Sequence, residues 1–402
     1  MTNGESAAAR RVQKATSKNN MHFILIIIFL CAILSIVYFS VILFLYNGLK
    51  RLSPSSTPHN LRFSIVIAAR NEERNIEKCL KSVLSQTIDS DRYEVILIND
   101  RSTDATVAIA ANSAKNHSNL SVITIAETPQ GVSPKKHAVL QGILQAKEDI
   151  IVFTDADCMV PPAWLEKLGR YFDANTGIVQ GITTYAEVPG MNRFFYGIQA
   201  VDFLSHGVVS AAAIGANLPL NSNANNFAFR KKAFDEANGY GVDSAVVSGD
   251  DDLLLQRIWR NTPWRIRYMT DAAAAVRTLP TRSAAGVFEQ RKRWGSKTVH
   301  YNRTQVALLL SVFIFYLAIA ALFCAGFFKS VLFALFCGML LVKILGELVL
   351  MIPGTRLFGE QRLRKYLLPA SLIQLPVVLC SVVLGVFGKF IWKEQKFGRT
   401  SR

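Results

Sequence analysis

The chain has 402 residues, half of them hydrophobic, and its 45 lysines and arginines against 29 aspartates and glutamates give a net charge of +16. This length holds one soluble domain of ordinary size together with several membrane spans. The positive charge is concentrated beside apolar segments and no nucleic-acid-binding motif accompanies it, which argues against nucleic acid and for membrane lipid headgroups as partners. The six cysteines show no zinc spacing and no disulfide framework, which fits a reducing compartment.

The first elements in chain order are a tail, a span and a linker. Residues 1–20 are polar, small and basic, and this composition predicts a disordered tail. Residues 21–46 carry no Asp, Glu, Lys or Arg and predict a transmembrane helix. The run is longer than the apolar part of a signal peptide and has no small-residue cleavage site, although a retained signal anchor would look the same. Residues 52–60, rich in Ser and Pro, are expected to form a linker.

Strands and helices then alternate. Runs rich in β-branched residues predict buried strands at 63–68, 94–99, 121–126 and 150–154. Helical segments separate them, and Thr103 or Asp104 is placed to cap the second helix. This alternation predicts an α/β fold with a mostly parallel sheet flanked by helices. Polar residues that follow successive strands converge at one edge of such a sheet, where ligands bind. We expect Arg70, Glu72, Asp100 and Asp155 to be neighbours there.

The fourth strand stops at Asp155-Ala156-Asp157. Hard oxygen donors at the end of a strand suit Mg²⁺ or Mn²⁺, which in turn hold phosphate oxygens. A polar turn from strand to helix explains the same tripeptide without a metal. Both explanations stay open on this motif alone.

Two polar patterns follow in the second half of the polar region. Ser248-Gly-Asp-Asp-Asp252 opens an amphipathic helix, and acids at a helix N-terminus are ordinarily explained by capping and by the helix dipole. Residues 283–304 predict a basic amphipathic helix at the membrane surface, which explains Lys292 and Lys297 without any further role. This helix also carries the pattern Gln290-x-x-Arg293-Trp294.

Three more hydrophobic membrane segments are predicted within 305–392, followed by a basic tail at 393–402. Pro369 and Pro376 leave open whether the last segment spans the membrane or re-enters it. Lys343 and Glu347, four residues apart, predict an ion pair, with a lipid-headgroup or glycan contact as the alternative. Lys and Arg beside the spans weakly favour a cytoplasmic location for the polar domain of an inner-membrane protein.

Together the motifs resemble the membrane-bound family 2 glycosyltransferases with the GT-A nucleotide-sugar-binding fold, such as cellulose synthases and ceramide glucosyltransferases. The matching stretches, in order, are SIVIAARNEE at 64–73, VILINDRSTDAT at 95–106, KKHAVLQGI at 135–143, FTDADC at 153–158, NNFAFRKKAF at 225–234, SGDDDLLLQRI at 248–258 and QRKRW at 290–294. Each stretch is common by itself, but their order makes the resemblance specific. It implies a GT-A catalytic domain at 61–282.

The resemblance also implies roles for individual residues. On the donor side, the family's nucleotide contacts fall on Ala68, Arg70, Glu72, Asp100, Lys135 and Asp155. Asp157 is implied as the ligand of Mg²⁺ or Mn²⁺ on the donor diphosphate. Asp251 is implied as the general base, with Asp250 as the second choice. Gln290, Arg293 and Trp294 are implied to contact the acceptor and the diphosphate.

The activity so implied is inverting transfer from a nucleotide-sugar, expected to be a UDP-sugar, to a lipid or lipid-linked glycan acceptor at the membrane. A processive polysaccharide synthase is the nearest alternative, and the expected four spans are few for one. A noncatalytic membrane protein with a sugar-nucleotide-binding module is the alternative from another class. The sequence departs from the family pattern at Asn99-Asp100 and at Asp250-Asp251, where two aspartates and Glu-Asp are usual.

Overall fold

The computed structural model describes residues 2–53, 60–246, 249–387, 390–392 and 395–397. Most of the predicted linker at 52–60, Ser248, and all of the tail at 393–402 apart from 395–397 lie outside these described residues. The chain divides into two compact units. Unit 1 consists of Met1–Leu43 and Arg303–Glu347, and unit 2 consists of Phe44–Asn302 and Leu348–Arg402.

Helices and strands alternate through the middle of the chain, as the sequence predicts. The helices are α1 (Thr2–Lys50), α2 (Ile76–Leu84), α3 (Thr106–Ala114), α4 (Pro134–Gln145), α5 (Trp164–Gly169), α6 (Arg193–Gly215), α7 (Lys231–Glu236), α8 (Asp252–Asn261), α9 (Ala284–Ser296), α10 (Arg303–Gly326), α11 (Ser330–Leu357) and α12 (Leu367–Phe387). The strands are β1 (Phe63–Ala69), β2 (Tyr93–Asp100), β3 (Leu120–Ile125), β4 (Ile150–Phe153), β5 (Thr176–Gly181), β6 (Thr183–Tyr185), β7 (Phe227–Arg230), β8 (Arg265–Met269), β9 (Val276–Thr278), β10 (Phe390–Trp392) and β11 (Gln395–Phe397).

The main sheet of unit 2 has seven strands in the order β3-β2-β1-β4-β7-β5-β8. Strands β1 to β4 are parallel, and β7 runs antiparallel between β4 and β5. Ala69 at the end of β1 pairs with Asn99 near the end of β2, so the loops after these strands leave the same edge. The prediction of an α/β fold with a mostly parallel sheet flanked by helices is confirmed.

Both faces of this sheet are covered because successive side chains of a strand point to opposite faces. Ile65 and Ile67 of β1 pack with α2 and α5 in one core cluster, whereas Val66 packs with α4, α7 and α8 in the other. Each such side chain, when fully buried, contributes about 1.5–3 kcal/mol. The two clusters hold the strand ends, and the loops that follow them, in fixed positions.

Five helices of the described chain are long and apolar enough to cross a membrane, whereas the sequence predicts four spans. The additional helix is α6, whose most apolar window is 67% buried within the protein. The end of α1 packs closely against α6, since a Cβ on Gly48 of α1 would lie 2.0 Å from the carbonyl oxygen of Ala212 in α6. Burial against protein explains the apolar character of α6, and length and composition do not separate it from a span.

Three predicted segments have other bounds in the structure. The backbone is helical from Thr2, which corrects the prediction of a disordered tail at 1–20; alanines and long straight side chains favour extension of an existing helix. The amphipathic helix predicted at 283–304 is α9, which ends at Ser296. The last of the three membrane segments predicted within 305–392 is helical from Leu367 to Phe387, and the aromatic and β-branched residues Phe390–Trp392 form a strand.

Unit 1 contains a buried polar cluster. Lys343 is fully buried, its Nζ lies 2.6 Å from Glu347 Oε1, and Tyr316 donates a hydrogen bond of 2.9 Å to the same oxygen. Tyr38 stacks on Phe315 with ring centroids 4.2 Å apart. The predicted ion pair between Lys343 and Glu347 is confirmed.

Candidate active site

The loops after β1 and β2 bind each other at the edge of the sheet. Asn71 N–H donates to Ser102 Oγ over 3.0 Å, and Thr103 N–H donates to Asn71 Oδ1 over 2.9 Å. Asn71 has a φ of 53° and Arg101 a φ of 56°, a left-handed conformation that is uncommon for residues other than glycine. The loops are therefore held in a specific shape.

A second set of hydrogen bonds ties the same loops to the start of α3. Glu72 N–H donates to Thr106 Oγ1 over 2.8 Å, and Glu73 N–H donates to Asp104 Oδ2 over 3.1 Å. Asp104 Oδ1 accepts from Thr106 N–H over 3.0 Å. Burial alone raises the pKa of Asp104, but the hydrogen bonds from Thr106 and Glu73 outweigh it and hold the pKa below its usual value.

Asp100 ends β2 and is buried beside two guanidinium groups. Its Oδ1 accepts a 2.8 Å hydrogen bond from Arg101 Nε, and its Oδ2 lies 3.7 Å from Arg70 Nη1. Ala68 of β1 pairs with Ile98 of β2, which lies two residues before Asp100. The structure thus brings together Ala68, Arg70 and Asp100, three of the predicted donor-side residues.

Lys135 at the start of α4 connects two predicted carboxylates that are distant in sequence. Its Nζ lies 3.0 Å from Asp155 Oδ1 and 3.0 Å from Asp250 Oδ2. Burial alone lowers the pKa of Lys135, but the attraction of Asp155 and Asp250 outweighs it and raises the pKa above its usual value. Burial raises the pKa of Asp250, but Lys135 outweighs it and holds that pKa below its usual value. Both groups are therefore charged at neutral pH.

The Asp155-Ala156-Asp157 turn lies over two buried thiols. Cys79 Sγ lies 3.5 Å from the Asp155 carbonyl oxygen, and Cys158 Sγ lies 3.5 Å from Asp157 Oδ1. Burial first, and the charges of Asp157 and Asp155 next, raise the pKa of both thiols. These cysteines are neutral and unreactive, and they pack beneath the Asp155-Ala156-Asp157 turn.

Asp251 and Asp252 have different surroundings although they are neighbours. Asp251 Oδ2 accepts from Ala224 N–H over 2.8 Å, and its Oδ1 accepts from Asp252 N–H over 2.7 Å. Asp252 is fully buried, accepts a hydrogen bond from Ser222 N–H, and accepts one of 2.7 Å from Tyr301 OH. Asp252 thus connects α8 to Ser222 and Tyr301 and has a structural role, whereas Asp251 is oriented by two backbone N–H groups.

Arg293 of α9 lies among the site carboxylates. Burial lowers its pKa from the usual value, and four nearby carboxylates oppose that shift. In order of their effect these are Asp155, Asp250, Asp251 and Asp157. A guanidinium keeps its charge in such surroundings. Arg293 therefore places one fixed positive charge in the field of four of the six acids predicted for the site.

Gln290 and Trp294 lie on the same helix with a different set of neighbours. Tyr185 OH donates to Gln290 Oε1 over 3.4 Å, and burial raises the pKa of Tyr185 to about 12. The Trp294 ring has His206 at a centroid distance of 5.1 Å and Arg291 Cζ at 4.1 Å from its centroid. One face of the indole is therefore covered by Arg291, and only the remaining surface is available to a sugar.

Sequence reasoning missed Asn71, Tyr185, Asp202 and Arg291. Asn71 lies two residues after the end of the first strand, and an asparagine there was a usable signal for a left-handed turn. Asp202 pairs with Arg291 across 89 positions of sequence, and no local pattern indicates that contact. Tyr185 lies on a strand of three residues that was not predicted.

The described residues contain no group of three or more His, Cys, Asp or Glu side chains able to hold a metal ion. Magnesium is often held by only one or two carboxylates together with substrate phosphates. Asp157, half-exposed at the end of β4, and Asp155 beside it provide that kind of donor set. The residues therefore fit a metal that arrives with a diphosphate.

Comparison with protein families defines the class. A model described as glycosyl transferase family group 2 matches residues 150–359, just over half of the chain, and one described as glycosyl transferase family 2 matches residues 64–210. The chain belongs to glycosyl transferase family 2, as the resemblance of its motifs implies.

A solved structure supports the fold. The mannosyltransferase PcManGT from Pyrobaculum calidifontis, in complex with GDP-Man and Mn²⁺, aligns with a TM-score of 0.55 and 18% identity. The alignment covers 88% of this chain and 97% of that one. The predicted GT-A fold, with long apolar helices beside it, is confirmed.

Curated relatives are similar over part of their length. Glycosyltransferase AglE of Haloferax volcanii is 36% identical over 104 residues, which cover 26% of this chain and 33% of that protein. A beta-monoglucosyldiacylglycerol synthase of Synechocystis is 25% identical over 241 residues, which cover 57% of this chain and 46% of that protein. The chain thus spans less than half of the length of these relatives.

Proposed function

We propose that the protein transfers a sugar, with inversion, from a nucleotide-sugar to a hydroxyl group of a lipid or lipid-linked glycan at the membrane. The observation that carries this proposal is the grouping of Asp155, Asp157, Asp250 and Asp251 around Lys135 and Arg293. A diphosphate leaving group needs positive charge beside it, and a hydroxyl nucleophile needs a carboxylate that takes its proton. The name of the Synechocystis relative, beta-monoglucosyldiacylglycerol synthase, supports the lipid acceptor.

The donor half comprises the interlocked loops after β1 and β2 together with Lys135 and Asp155. The loop that carries Arg70 and Glu72 is rigid, and Asp100 is buried and accepts hydrogen bonds, so this edge suits a uracil and its ribose. A UDP-sugar is the donor that we expect. Lys135 and Arg293 face the negative charge that develops as the nucleoside diphosphate leaves.

A divalent metal completes the donor half in this proposal. Asp157 would hold Mg²⁺ or Mn²⁺ together with the donor diphosphate, and Asp155 is the adjacent carboxylate. The metal would supply positive charge to the phosphate oxygens. The complex of PcManGT with Mn²⁺ concerns a protein of the same fold and supports this choice.

The acceptor half contains the base. The acceptor oxygen attacks the anomeric carbon on the face opposite the diphosphate, the carbon–oxygen bond to the diphosphate breaks, and the acceptor proton passes to Asp251. Asp250 forms an ion pair with Lys135 and has a lowered pKa, which opposes its taking up a proton. Two backbone N–H groups orient Asp251 for this role.

The acceptor end faces the bilayer in this proposal. Gln290, Arg293 and Trp294 lie on α9, which packs closely on the apolar helix α12, since a Cβ on Gly385 would lie 2.7 Å from the Lys292 carbonyl oxygen. We place the catalytic domain in the cytoplasm, on the inner-membrane side. Labelling of an exposed cysteine introduced at Glu236 with a membrane-impermeant maleimide in intact cells would contradict that orientation.

The experiment that tests the function is a donor screen. The full chain in lipid bilayers with dioleoylglycerol is supplied separately with UDP-glucose, UDP-galactose, UDP-N-acetylglucosamine and GDP-mannose, and release of nucleoside diphosphate and formation of glycolipid are measured. We expect one donor to give a single added sugar. A long polymer would favour the processive synthase, and binding without turnover of any donor would favour the noncatalytic binding module.

A further inference from the structure

Trp294 is held in place by a residue that is absent from the family pattern. The Arg291 guanidinium covers one face of the indole at 4.1 Å, a cation–π contact, and pairs through Nη2 with Asp202 of α6. Arg291 is only 7% exposed. Its Nε and Nη1 make no hydrogen bond within the described part of the chain. The guanidinium is thus fixed by one carboxylate and one ring.

The same pair adjoins the other side chains at this end of the site. Phe203, the neighbour of Asp202, stacks on Tyr185 with ring centroids 4.3 Å apart. Tyr185 OH donates to Gln290, one residue before Arg291. Side chains of α6, β6 and α9 therefore form a closed ring of contacts. Its members are Asp202, Phe203, Tyr185, Gln290, Arg291 and Trp294.

The charges around this ring are matched. Arg291 is paired with Asp202, and Lys292 on the next position of α9 is paired with Glu289 at 2.5 Å. Beyond Tyr185 the ion pairs are Arg362–Glu187, Arg362–Glu360 and Arg277–Glu360. Of these cations, Arg291 is the one with a described contact to Trp294, and Asp202 matches its charge.

We propose that the Asp202–Arg291 pair positions Trp294 and neutralises the guanidinium that covers it, so that the enzyme takes an uncharged hydroxyl acceptor instead of a lipid phosphate. This inference rests on the proposed function. A lipid phosphate is already anionic at neutral pH, needs no base, and binds best to an unmatched cation. An uncharged hydroxyl needs the base Asp251, an aromatic face and hydrogen-bonding groups, and these are what the ring and its surroundings provide.

The test compares two acceptors in the full chain. Transfer to dioleoylglycerol and to farnesyl phosphate is measured in phosphatidylcholine bilayers with each of UDP-glucose, UDP-galactose and GDP-mannose. The wild type is expected to prefer dioleoylglycerol. Asp202→Asn leaves the buried guanidinium unmatched and is expected to shift the preference toward farnesyl phosphate by about tenfold, a change that corresponds to roughly 1.4 kcal/mol.

Arg291→Gln separates the positioning role from the charge. We expect an increase of about tenfold in KM for dioleoylglycerol, with the Kd for nucleotide unchanged, because the cation–π contact is lost. Arg291→Lys keeps the charge and should recover part of the KM. The double variant D202N/R291Q has no net charge change and should return the acceptor preference, but not the KM, to the wild-type value.

Glu289→Gln is the matched control, since it removes an ion pair of the same helix whose lysine lies over Phe288, whereas Arg291 lies over Trp294. A wild-type preference for farnesyl phosphate would overturn the proposal, and so would an Asp202→Asn variant that behaves like the control. No turnover of any donor with either acceptor would count against the proposed function instead.

Discussion

Lys135 joins the two halves of the site through ion pairs of 3.0 Å to Asp155 and Asp250. Its raised pKa and the lowered pKa of Asp250 show that the pair stabilises the fold only when both groups are charged. The lowered pKa of Asp250 contributes stability above its unfolded value of 3.8, and this is lost as the pH falls. The raised pKa of Lys135 contributes stability below 10.5, and this is lost as the pH rises further.

We therefore predict that Lys135→Met lowers stability most near neutral pH. A hydrogen bond to a charged group is worth about 1.5–3 kcal/mol, which sets the expected loss. The deficit relative to the wild type should shrink as the pH drops below the usual pKa of Asp250. Thermal midpoints from pH 3 to pH 8 measure this, with the exposed Lys81→Met as control. An equal deficit at every pH would contradict the assigned ion pair.

Asp157 is the residue on which the proposed metal depends. Asp157→Ala should weaken manganese-dependent nucleotide binding at least ~10-fold, the loss that even outer groups of metal sites show. Titration of Mn²⁺ against UDP binding measures it, with the exposed carboxylate variant Asp235→Ala as control. An unchanged titration would remove Asp157 from the metal role.

Among the secondary-structure elements, the first four strands were predictable and the later ones were not. The strands β1 to β4 lie within two residues of their predicted bounds because each is a run rich in apolar and β-branched residues, largely buried in β1, β2 and β4. The short strands β6, β7 and β9 depend on partners far away in sequence; β7, for example, enters the sheet antiparallel between β4 and β5. Burial of α6 gives it the composition of a membrane span.

The site shows the same division. Asp155, Lys135 and Asp250 were predictable because each belongs to a local motif, and the structure brings them together. The pair of Asp202 and Arg291 was not predictable, since it depends on how α6 packs against α9. Local motifs therefore indicate the chemistry, and long-range packing determines its surroundings.

The contact between the helices α9 and α12 gives a testable prediction. Gly385→Leu places side-chain atoms where a Cβ alone would lie 2.7 Å from the Lys292 carbonyl oxygen, so α9 must shift. Overpacking of this kind costs about 1–3 kcal/mol, and transfer should fall because Arg293 and Trp294 move with the helix. Gly338→Leu on α11 is the control, since a Cβ there meets nothing within 4 Å. Equal activity and thermal midpoint in the two variants would contradict this role of the contact.

For the whole molecule, the family and the fold are established, and the acceptor is the main open question. The chain belongs to family 2 and has the GT-A fold, and five helices of its described part are long and apolar enough to cross a membrane. The chain spans less than half of the length of the AglE and Synechocystis relatives, so the activity, substrate and partners of the whole protein are proposals. The matched charges around Trp294 direct the search toward uncharged acceptors.

The measurement that tests the account most directly is sugar transfer by the Asp251→Asn variant of the full chain in bilayers with dioleoylglycerol, compared with its nucleotide binding. Loss of a placed base predicts a decrease in transfer of about 10²- to 10⁴-fold. Nucleotide binding should stay near the wild-type value, because Asp251 contacts the backbone of Ala224 and Asp252 and has no role in the proposed donor half. Transfer by Asp251→Asn at the wild-type rate would contradict the account. If Asp250→Asn alone lost transfer, the base would be Asp250.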